Sequence, residues 1–441
     1  MAGEAVEAIR HAAQWFDCGR DGVHPIVDAI GDADVVLIGE ATHGTHEFYR
    51  VRADITETLI EQKGFNLVAV EADWPDAYRA NRWVRGASHD PDATAALGDF
   101  TRFPRWMWRN DVVVDFLTWL HEHNQHRDPS ARVGFYGLDL YSLHTSIAAV
   151  LGYLAKVDPE AAGRARHRYA CFEHFAEDSQ AYGYATAVGL SRSCEDDVVA
   201  QLIELRRRAA EYANRDGRVA QDEFFFAEQN ARLVRNAEEY YRAMFGGRVE
   251  SWNLRDTHMM ETLDALCEWV AKQAGRARAV VWAHNSHLGD ARATQMGEWG
   301  ELNVGQLVRQ KHSDRAFAIG FSTHTGTVTA ARDWDRPAEQ RRVRPSLDGS
   351  YERLFHDTGI GRFLVRLRDE PIRELLTATR LERAIGVIYV PETERASHYF
   401  RAHLAQQFDL MIHIDQTRAL TPLERWSRHE EDIPETYPTG V

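Results

Sequence analysis

Five His and Glu side chains are candidates for acid–base chemistry because of where they stand in the sequence. Each of them ends, or closely follows, a short apolar segment: Glu40, His43, Glu71, His284 and His287. A carboxylate beside an imidazole can hold the ring in the tautomer that takes a proton from water. The same types of side chain also ligate divalent metals. The pattern therefore predicts either metal-free proton transfer or a metal-dependent reaction.

In the metal-free interpretation, a histidine is the base. His43 removes a proton from water while Glu40 or Glu71 holds its other ring nitrogen. A positive or hydrogen-bonding group must then stabilise the oxyanion that forms. The sequence offers four candidates for that role: His284, His287, Arg52 on the helix predicted after His43, and Arg255 in SWNLRDTHM. In the metal-dependent interpretation, His and Glu side chains of the same group are the metal ligands.

Several other kinds of catalytic site are disfavoured because their motifs are missing. The sequence contains no GxSxG, which argues against a serine hydrolase of the α/β-hydrolase type. GEATHGTHEF is not GxGxxG and no P-loop is present, so neither a dinucleotide nor a phosphate-binding loop is supported. HNSH stands at the end of a predicted strand, whereas the HExxH of zinc proteases lies on a helix.

The apolar segments that position these residues are predicted to be strands of one sheet. They are 34–40, 65–72, 132–139, 277–285, 315–323, 384–390 and 408–414. Near-continuous apolar runs of this length are typical of strands that are covered on both faces. Between Thr45 and Gln62, apolar residues at helical spacing predict a helix that ends at Gly64. Strand, helix and strand in this order indicate a parallel pair, and ligands bind at the carboxyl ends of such strands.

The region from about 140 to 275 contains long helical patterns and no convincing strand. We therefore predict an α/β fold, with a mostly parallel sheet flanked by helices and a large α-helical insertion. Residues 1–140 and 276–441 are expected to form the α/β core that carries the active site. Residues 141–275 are expected to form the insertion and to cover the cleft. The polar segment that begins at Thr421 is predicted to be an irregular tail.

Aromatic and charged residues near the same loops are predicted to bind the substrate. Trp74 follows the second strand, and Trp106 lies in RFPRWMW (102–108), a loop that is difficult to bury whole. Asp139 ends the third strand, and Arg255 lies at the start of a helical pattern. Aromatic walls of this kind suit a bulky, largely apolar small molecule.

The composition of the chain limits the kinds of binding partner and the cellular compartment that the sequence predicts. The 441 residues include 52 Lys and Arg against 67 Asp and Glu, a net charge of −15, so nucleic acid is not an expected partner. No segment reaches the roughly 18 uninterrupted apolar residues of a membrane span, and the N-terminal residues lack a signal-peptide pattern. The four cysteines show no CxxC spacing. A cytoplasmic protein with reduced thiols is the expectation.

Five motifs resemble those of the erythromycin esterase family. They are GEATHGTHEF, EADWPD, NLRD, WAHNSH and the C-terminal YFRAHLAQQFDLMIHIDQTRALTPLE with PETYP, and the likeness runs from about residue 25 to the C-terminus. The resemblance implies an α/β core with a helical domain, an active site in the cleft between them, and hydrolytic opening of a macrolactone. It also implies the roles of six residues: His43 as the base, Glu40 and Glu71 as its supporting carboxylates, and Arg52, His284 and His287 as further functional positions.

Two functions follow from the residues and the resemblance together. The first is a hydrolase that opens a small-molecule ester or lactone, such as a macrolide antibiotic, and needs no cofactor. The second is a metal-dependent enzyme or a ligand-binding protein that uses the same Glu/His cluster in secondary or polysaccharide metabolism. The sequence names neither the substrate nor the oligomeric state.

Overall fold

The strands of the protein form one large sheet and two small ones. The structure, a computed structural model, describes residues 2–175, 179–213, 218–376 and 378–424. The strands are β1 Val35–Ile38, β2 Leu67–Asp73, β3 Gly134–Asp139, β4 Ala279–Trp282, β5 Ala316–Ser322, β6 Thr325–Ala330, β7 Glu339–Val343, β8 Arg362–Arg366, β9 Arg380–Arg383, β10 Tyr399–Ala402, β11 Leu410–Ile414 and β12 Gln416–Thr417. The large sheet has the order β3-β2-β4-β1-β5-β11-β8, and the small ones are β10-β9 and β12-β6-β7.

Helices surround the large sheet. Those before the middle of the chain are α1 Ala2–Ala12, α2 His24–Ile30, α3 His46–Lys63, α4 Trp74–Val84, α5 Ala93–Ala96, α6 Asp111–Gln125, α7 Leu143–Val157, α8 Pro159–Tyr169, α9 Ser179–Ala187 and α10 Glu195–Arg207. Those that follow are α11 Ala209–Ala213, α12 Arg218–Ala243, α13 Arg248–Ala274, α14 Asn285–Leu288, α15 Gln295–Glu298, α16 Val304–His312, α17 Tyr351–His356, α18 Ile372–Leu375, α19 Glu394–Ser397 and α20 Leu404–Gln407.

The large sheet is parallel except at one edge. β3, β2, β4, β1, β5 and β11 pair in parallel, and β8 pairs antiparallel with β11. Successive residues of β1 pack into different hydrophobic clusters: Val35 and Leu37 into one, Val36 and Ile38 into the other. The sheet is therefore covered on both faces, as near-continuous apolar strands require. The predicted fold class, a mostly parallel sheet flanked by helices, is confirmed.

Six of the seven predicted strand segments contain strands of the large sheet, and the seventh is wrong. Segment 384–390 makes isolated bridges instead, pairing Ile385 with Thr42 and Ile388 with Ala331. Its apolar residues cross the loops that follow β1 and β6, so no continuous ladder forms. The helix predicted between Thr45 and Gln62 is α3, and it ends at Gly64, whose φ of 68° is left-handed.

The described residues between β3 and β4 form helices α7 to α13 and no strand. α12 packs on α7 and α13, and α13 packs on β2 and β3. The predicted helical insertion between the strands is therefore present, while its division from the core at residues 141 and 275 stays a prediction. Most of the predicted C-terminal tail, residues 425–441, lies outside the described residues.

The cysteines differ from the expectation. Cys171 and Cys194 form a disulfide, whereas Cys18 and Cys267 are free thiols. The prediction of four reduced cysteines is wrong for this pair, because the fold of the helical region brings their Cα atoms within 6.0 Å. The two cysteines are 23 residues apart in the sequence, and this spacing does not indicate that they are in contact. In the part of the chain that the structure describes, no helix is long and apolar enough to cross a bilayer.

Gly44 lets the loop after β1 lie against β6. A Cβ atom at this position would stand 1.8 Å from the carbonyl oxygen of Thr329. We expect Gly44→Ala to lower the free energy of unfolding by about 1–3 kcal/mol, because the loop or the strand must shift. Gly152→Ala, in α7 with nothing within 4 Å of the added carbon, is the control and should be neutral or slightly stabilising. Equal denaturant midpoints for the two variants would contradict this close approach.

Candidate active site

A cavity of about 460 Å³ lies at the carboxyl ends of the central strands. Its wall includes residues at or just after the carboxyl ends of β1, β2, β3 and β4 and from one side of α13: His43, Glu71, Asp139, Arg255, His284 and His287. Such an edge of a parallel sheet is the usual ligand site in α/β folds. Arg248, Trp252 and Arg255 of α13 all line it, at helical spacing.

His43 is held by a buried carboxylate. Its Nδ1 lies 2.8 Å from Oε1 of Glu40, which is 1% exposed. An ionised Glu40 can only accept this hydrogen bond, so Nδ1 carries the proton and Nε2 has a free lone pair. Among the described residues, Nε2 of His43 has no hydrogen-bond partner. The ring that borders the cavity therefore presents a proton acceptor.

Arg52 compensates the charge of Glu40. Its Nη2 lies 3.2 Å from Oε2 of Glu40, and the arginine is completely buried. The guanidinium carbon lies 4.4 Å from the ring centroid of Tyr49 and 5.0 Å from that of Trp282. Indole and phenol faces attract a cation, and this attraction offsets part of the cost of burying the arginine. α3 supplies Tyr49 and Arg52 from one side, because residues three apart share a helix face.

Arg255 joins two strand ends. Its Nη2 donates to Oε1 of Glu71 at 2.7 Å and to Oδ2 of Asp139 at 2.6 Å, and its Nε donates to Oδ1 of Asp139 at 3.0 Å. The other oxygen of Glu71 accepts the backbone N–H of His284 at 2.9 Å. Although burial raises the pKa of Glu71, the positive charges of His287 and Arg255 outweigh it, and that pKa falls well below its usual range. Glu71 is thus a fixed anion.

His287 is a buried cation near neutral pH. Nδ1 lies 2.9 Å and 3.0 Å from the two oxygens of Asp256, and Nε2 lies 3.3 Å from Oε1 of Glu71. Burial favours the neutral ring, but the charges of Asp256 and Glu71 prevail and raise the pKa of His287 to about 9. Both ring nitrogens then carry protons, so the 3.1 Å contact of Nε2 with Arg255 Nη1 joins two donors and is not a hydrogen bond.

His284 is neutral, and the residue lines the cavity. Burial and, to a smaller extent, the charge of His43 lower its pKa to about 3. Its Nδ1 accepts the backbone N–H of Ser286 at 3.2 Å, so the proton of the neutral ring is on Nε2. The carbonyl of Ala41 favours this proton, yet Nε2 has no partner with hydrogen-bond geometry among the described residues. The rings of His284 and His43 lie 4.9 Å apart, and both residues line the cavity.

The carboxylates of the site do not fit a divalent metal ion. Such an ion needs several oxygen or nitrogen ligands around one point. Arg255 occupies the place between Glu71 and Asp139, and His287 contacts both Glu71 and Asp256. Within the described ranges, no group of three or more His, Cys, Asp or Glu side chains is arranged to hold a metal.

The structure brings most of the sequence candidates together. Those that line the cavity are His43, Glu71, Asp139, Arg255, His284 and His287. Glu40 and Arg52 stand behind His43 rather than in the cavity wall.

The two tryptophans predicted to bind substrate lie elsewhere. Trp74 is 1% exposed and stacks on Tyr136 with ring centroids 5.9 Å apart. It begins α4, whose packing against the helical region turns the indole into the core. Trp106 is also buried and does not line the cavity, although Trp108 of the same loop does. The prediction of substrate contact by Trp74 and Trp106 is therefore corrected.

The sequence analysis did not predict that Asp256 and Trp252 belong to the site. Asp256 orients His287 and accepts the backbone N–H of Val304 at 3.0 Å. Trp252 stacks on the His287 ring, with centroids 4.5 Å apart and 6° between the planes. Both residues are on α13, one turn apart. In the sequence, only the position of Asp256 directly after Arg255 in NLRD indicated that Asp256 belongs to the site.

Replacing Asp256 with Asn is expected to lower the pKa of His287, because Asp256 is the main source of its upward shift. A raised histidine pKa adds stability below the unfolded value of about 6.5, and this gain is lost as pH rises through the folded value. The stability difference between wild type and Asp256→Asn should therefore shrink from pH 6.5 to pH 9. NMR titration of His287 and melting curves measure both effects.

The matched control for this change is Asp264→Asn on the same helix. Asp264 pairs with the exposed Lys311 at 2.7 Å and makes no contact with His287. Its substitution should leave the titration of His287 unchanged. A stability difference for Asp256→Asn that does not vary with pH would contradict a charged His287.

Comparison with known proteins places the chain in a family. The family model described as erythromycin esterase matches residues 60–417. The chain is 20% identical to erythromycin esterase type II of Escherichia coli over 416 residues, covering 91% of this chain and 94% of that protein. It is 21% identical to the putative hydrolase YbfO of Bacillus subtilis over 319 residues, 68% of this chain and 67% of YbfO.

Among solved structures, the fold is similar to that of a mutant erythromycin esterase, EreC, in its open conformation. The TM-score is 0.67 at 14% sequence identity, covering 92% of this chain and 98% of that one. The motifs that suggested the family, the match to its model over most of the chain and the common fold agree. The chain belongs to the erythromycin esterase family, and the two relatives named above are an erythromycin esterase and a putative hydrolase.

Proposed function

We propose that the protein hydrolyses a carboxylic ester or lactone with water activated by His43. The observation that carries the proposal is the 2.8 Å contact between His43 Nδ1 and Glu40, which leaves Nε2 as the acceptor at the cavity. Histidine is the side chain that most often serves as a general base.

The reaction follows from these positions. Nε2 of His43 takes a proton from water as the water oxygen bonds to the carbonyl carbon, and the electron pair of the C=O bond moves to its oxygen. The N–H of His284 and the positive charge of His287 stabilise that oxyanion. When the C=O bond re-forms, the bond to the alkoxy oxygen breaks, and this oxygen takes the proton back from His43. The products are a carboxylic acid and an alcohol, which remain one molecule when the substrate is a lactone.

A bulky, mostly apolar substrate suits the cavity. Aromatic side chains from the 100–108 loop, from α13 and from the C-terminal part line it: Phe100, Phe103, Trp108, Trp252, Trp334 and Phe400. Rings of this size bind apolar bodies and leave a few polar groups to orient the reacting bond. Because the family includes named erythromycin esterases, macrolide lactones are the first substrates to assay.

We also propose that no metal takes part. Arg255 and His287 already supply the positive charges that a metal ion would bring to Glu71, Asp139 and Asp256. Their charges are fixed by buried ion pairs, so they are in place before substrate binds.

The test is hydrolysis by protein dialysed against a chelator, with macrolides and simple aryl esters as substrates. We expect at least one of them to gain one water molecule at a rate that the chelator does not change. Loss of activity with the chelator and its return with a divalent metal would favour the metal-dependent alternative. Binding without turnover of any ester or lactone would favour a ligand-binding protein.

A further inference from the structure

We propose that Asp76 is a specificity residue whose carboxyl group donates a hydrogen bond to an uncharged oxygen atom of the substrate, such as an ether, hydroxyl or carbonyl oxygen. This inference rests on the proposed ester hydrolysis and adds a chemical class for the alcohol or acyl part of the substrate. Asp76 stands in the first turn of α4 and lines the same cavity as His43 and Glu71.

Asp76 is buried at the cavity wall and has no partner in the described protein. The residue is 6% exposed, and its side chain forms no hydrogen bond or ion pair with any residue that the structure describes. Neither of its carboxyl oxygens is completely enclosed. Burial of a polar group without a hydrogen bond is costly, because the group gives up its hydration and receives nothing in exchange. A ligand in the cavity can supply the missing partner.

Burial and the charge of Asp73 keep Asp76 protonated near neutral pH. Together they raise the pKa of Asp76 to about 8. Burial raises the pKa of Asp73 only to about 6, because Arg102 donates to its Oδ2 at 2.9 Å. The two carboxyl groups therefore share one proton at pH 7, and Asp76 keeps it. A protonated carboxyl group has an O–H that donates, whereas an ionised one only accepts.

The other charges around Asp76 leave the proton in place. Arg102 is the cation that acts on Asp76, and it is engaged by Asp73. Asp99 also acts on Asp76, and it pairs with Arg79 at 2.6 Å. The start of α4 favours one negative charge, which Asp73 supplies at the N-cap position. Further groups act on Asp73 or Arg102 from β3, α13 and α12: Asp139, Arg255 and Tyr241.

A neutral donor at this position selects substrates by the oxygen atoms that they carry. An acceptor oxygen forms a hydrogen bond with Asp76, whereas a CH₂ group in its place leaves the O–H without a partner. When pH rises through the pKa of Asp76, the donor is lost and the carboxylate repels the lone pairs of the same oxygen. The preference for an oxygen atom should therefore be present at pH 6.5 and lost at pH 9.5.

Two esters of phenylacetic acid isolate the effect of the oxygen atoms. The 2-(2-methoxyethoxy)ethyl ester has ether oxygens where the heptyl ester has CH₂ groups, and the two chains have the same length. The ratio of their kcat/KM values at one pH cancels every titration that affects both substrates equally, including that of His287. We expect the wild-type ratio, ether ester over heptyl ester, to fall at least fivefold between pH 6.5 and pH 9.5.

Substitutions of the carboxyl pair distinguish a donor from a structural role. Asp76→Asn keeps an N–H donor that does not titrate, so its ratio should be the same at both pH values. Asp76→Leu should give the low ratio at both. Asp73→Asn removes a charge that raises the pKa of Asp76, so the fall should move to lower pH. Asp111→Asn, at the start of α6 and not in the cavity wall, is the control and should behave as the wild type.

Binding without turnover separates this inference from the proposed function. In calorimetry at pH 6.5, the His43→Ala protein should prefer the ether ester at least fivefold more than the same protein with Asp76→Leu added. Hydrolysis of both esters with a ratio that neither pH nor the Asp76 substitutions change would overturn the inference and leave the hydrolase standing. An Asp76-dependent binding preference without hydrolysis of any ester or lactone would overturn the hydrolase and keep Asp76 as a binding residue.

Discussion

Replacing Arg255 with Leu is expected to reduce the free energy of unfolding by about 3–5 kcal/mol and to abolish turnover, because the guanidinium that joins two buried carboxylates is lost and His287 pairs only with Glu71. Glu71 and Asp139 both rely on this guanidinium, at 2.7 Å and 2.6 Å. Without it, the two carboxylates repel each other, and the loop that Glu71 fixes through the backbone of His284 is released. Chemical denaturation and kcat/KM measure the two effects.

Arg248→Leu is the matched control for stability. It removes an arginine from the same face of α13, but this arginine is largely exposed, and its loss should change stability by no more than about 0.5 kcal/mol. Asp139→Asn introduced into the Arg255→Leu protein should restore part of the lost stability, since it removes one of the two opposed charges. If the double variant were less stable than Arg255→Leu, the repulsion argument would be wrong.

His43→Ala is expected to lower kcat/KM by about 10²–10⁴-fold while the melting temperature stays close to that of the wild type. The side chain makes one hydrogen bond, to Glu40, and Glu40 keeps its ion pair with Arg52 when the ring is gone. His46→Ala is the control from the same motif. His46 is half-buried at the start of α3 and does not line the cavity, so this variant should retain the wild-type rate. Equal losses in both variants would point to a damaged loop rather than a lost base.

Those parts of the fold and of the candidate site that depend on the local sequence pattern of apolar and polar residues could be predicted. Residues at the ends of parallel strands share one edge of the sheet, which is why His43, Glu71 and His284 meet although they are far apart in sequence. The helix before Gly64 was visible because its apolar spacing and its terminal glycine agree.

Other features depend on tertiary packing and left little local signal. Trp74 directly follows Asp73, the last residue of β2, but the start of α4 turns the tryptophan ring into the core while Asp73 lines the cavity. Asp256 comes from a helix of the insertion, and only the packing of α13 on β2 and β3 brings it to His287. The segment 384–390 has the composition of a strand, yet the neighbouring loops allow it only single bridges.

The central claim is that this site adds water to an ester or lactone through His43. Mass spectrometry of the product formed in ¹⁸O-labelled water tests it most directly, with wild type and His43→Ala compared at equal protein concentration. We predict that the product has gained one water molecule and carries one ¹⁸O in its new carboxylate. The His43→Ala protein should form at least about a hundredfold less of this product than the wild type. A product without the label, or the same amount of labelled product from both proteins, would contradict the account.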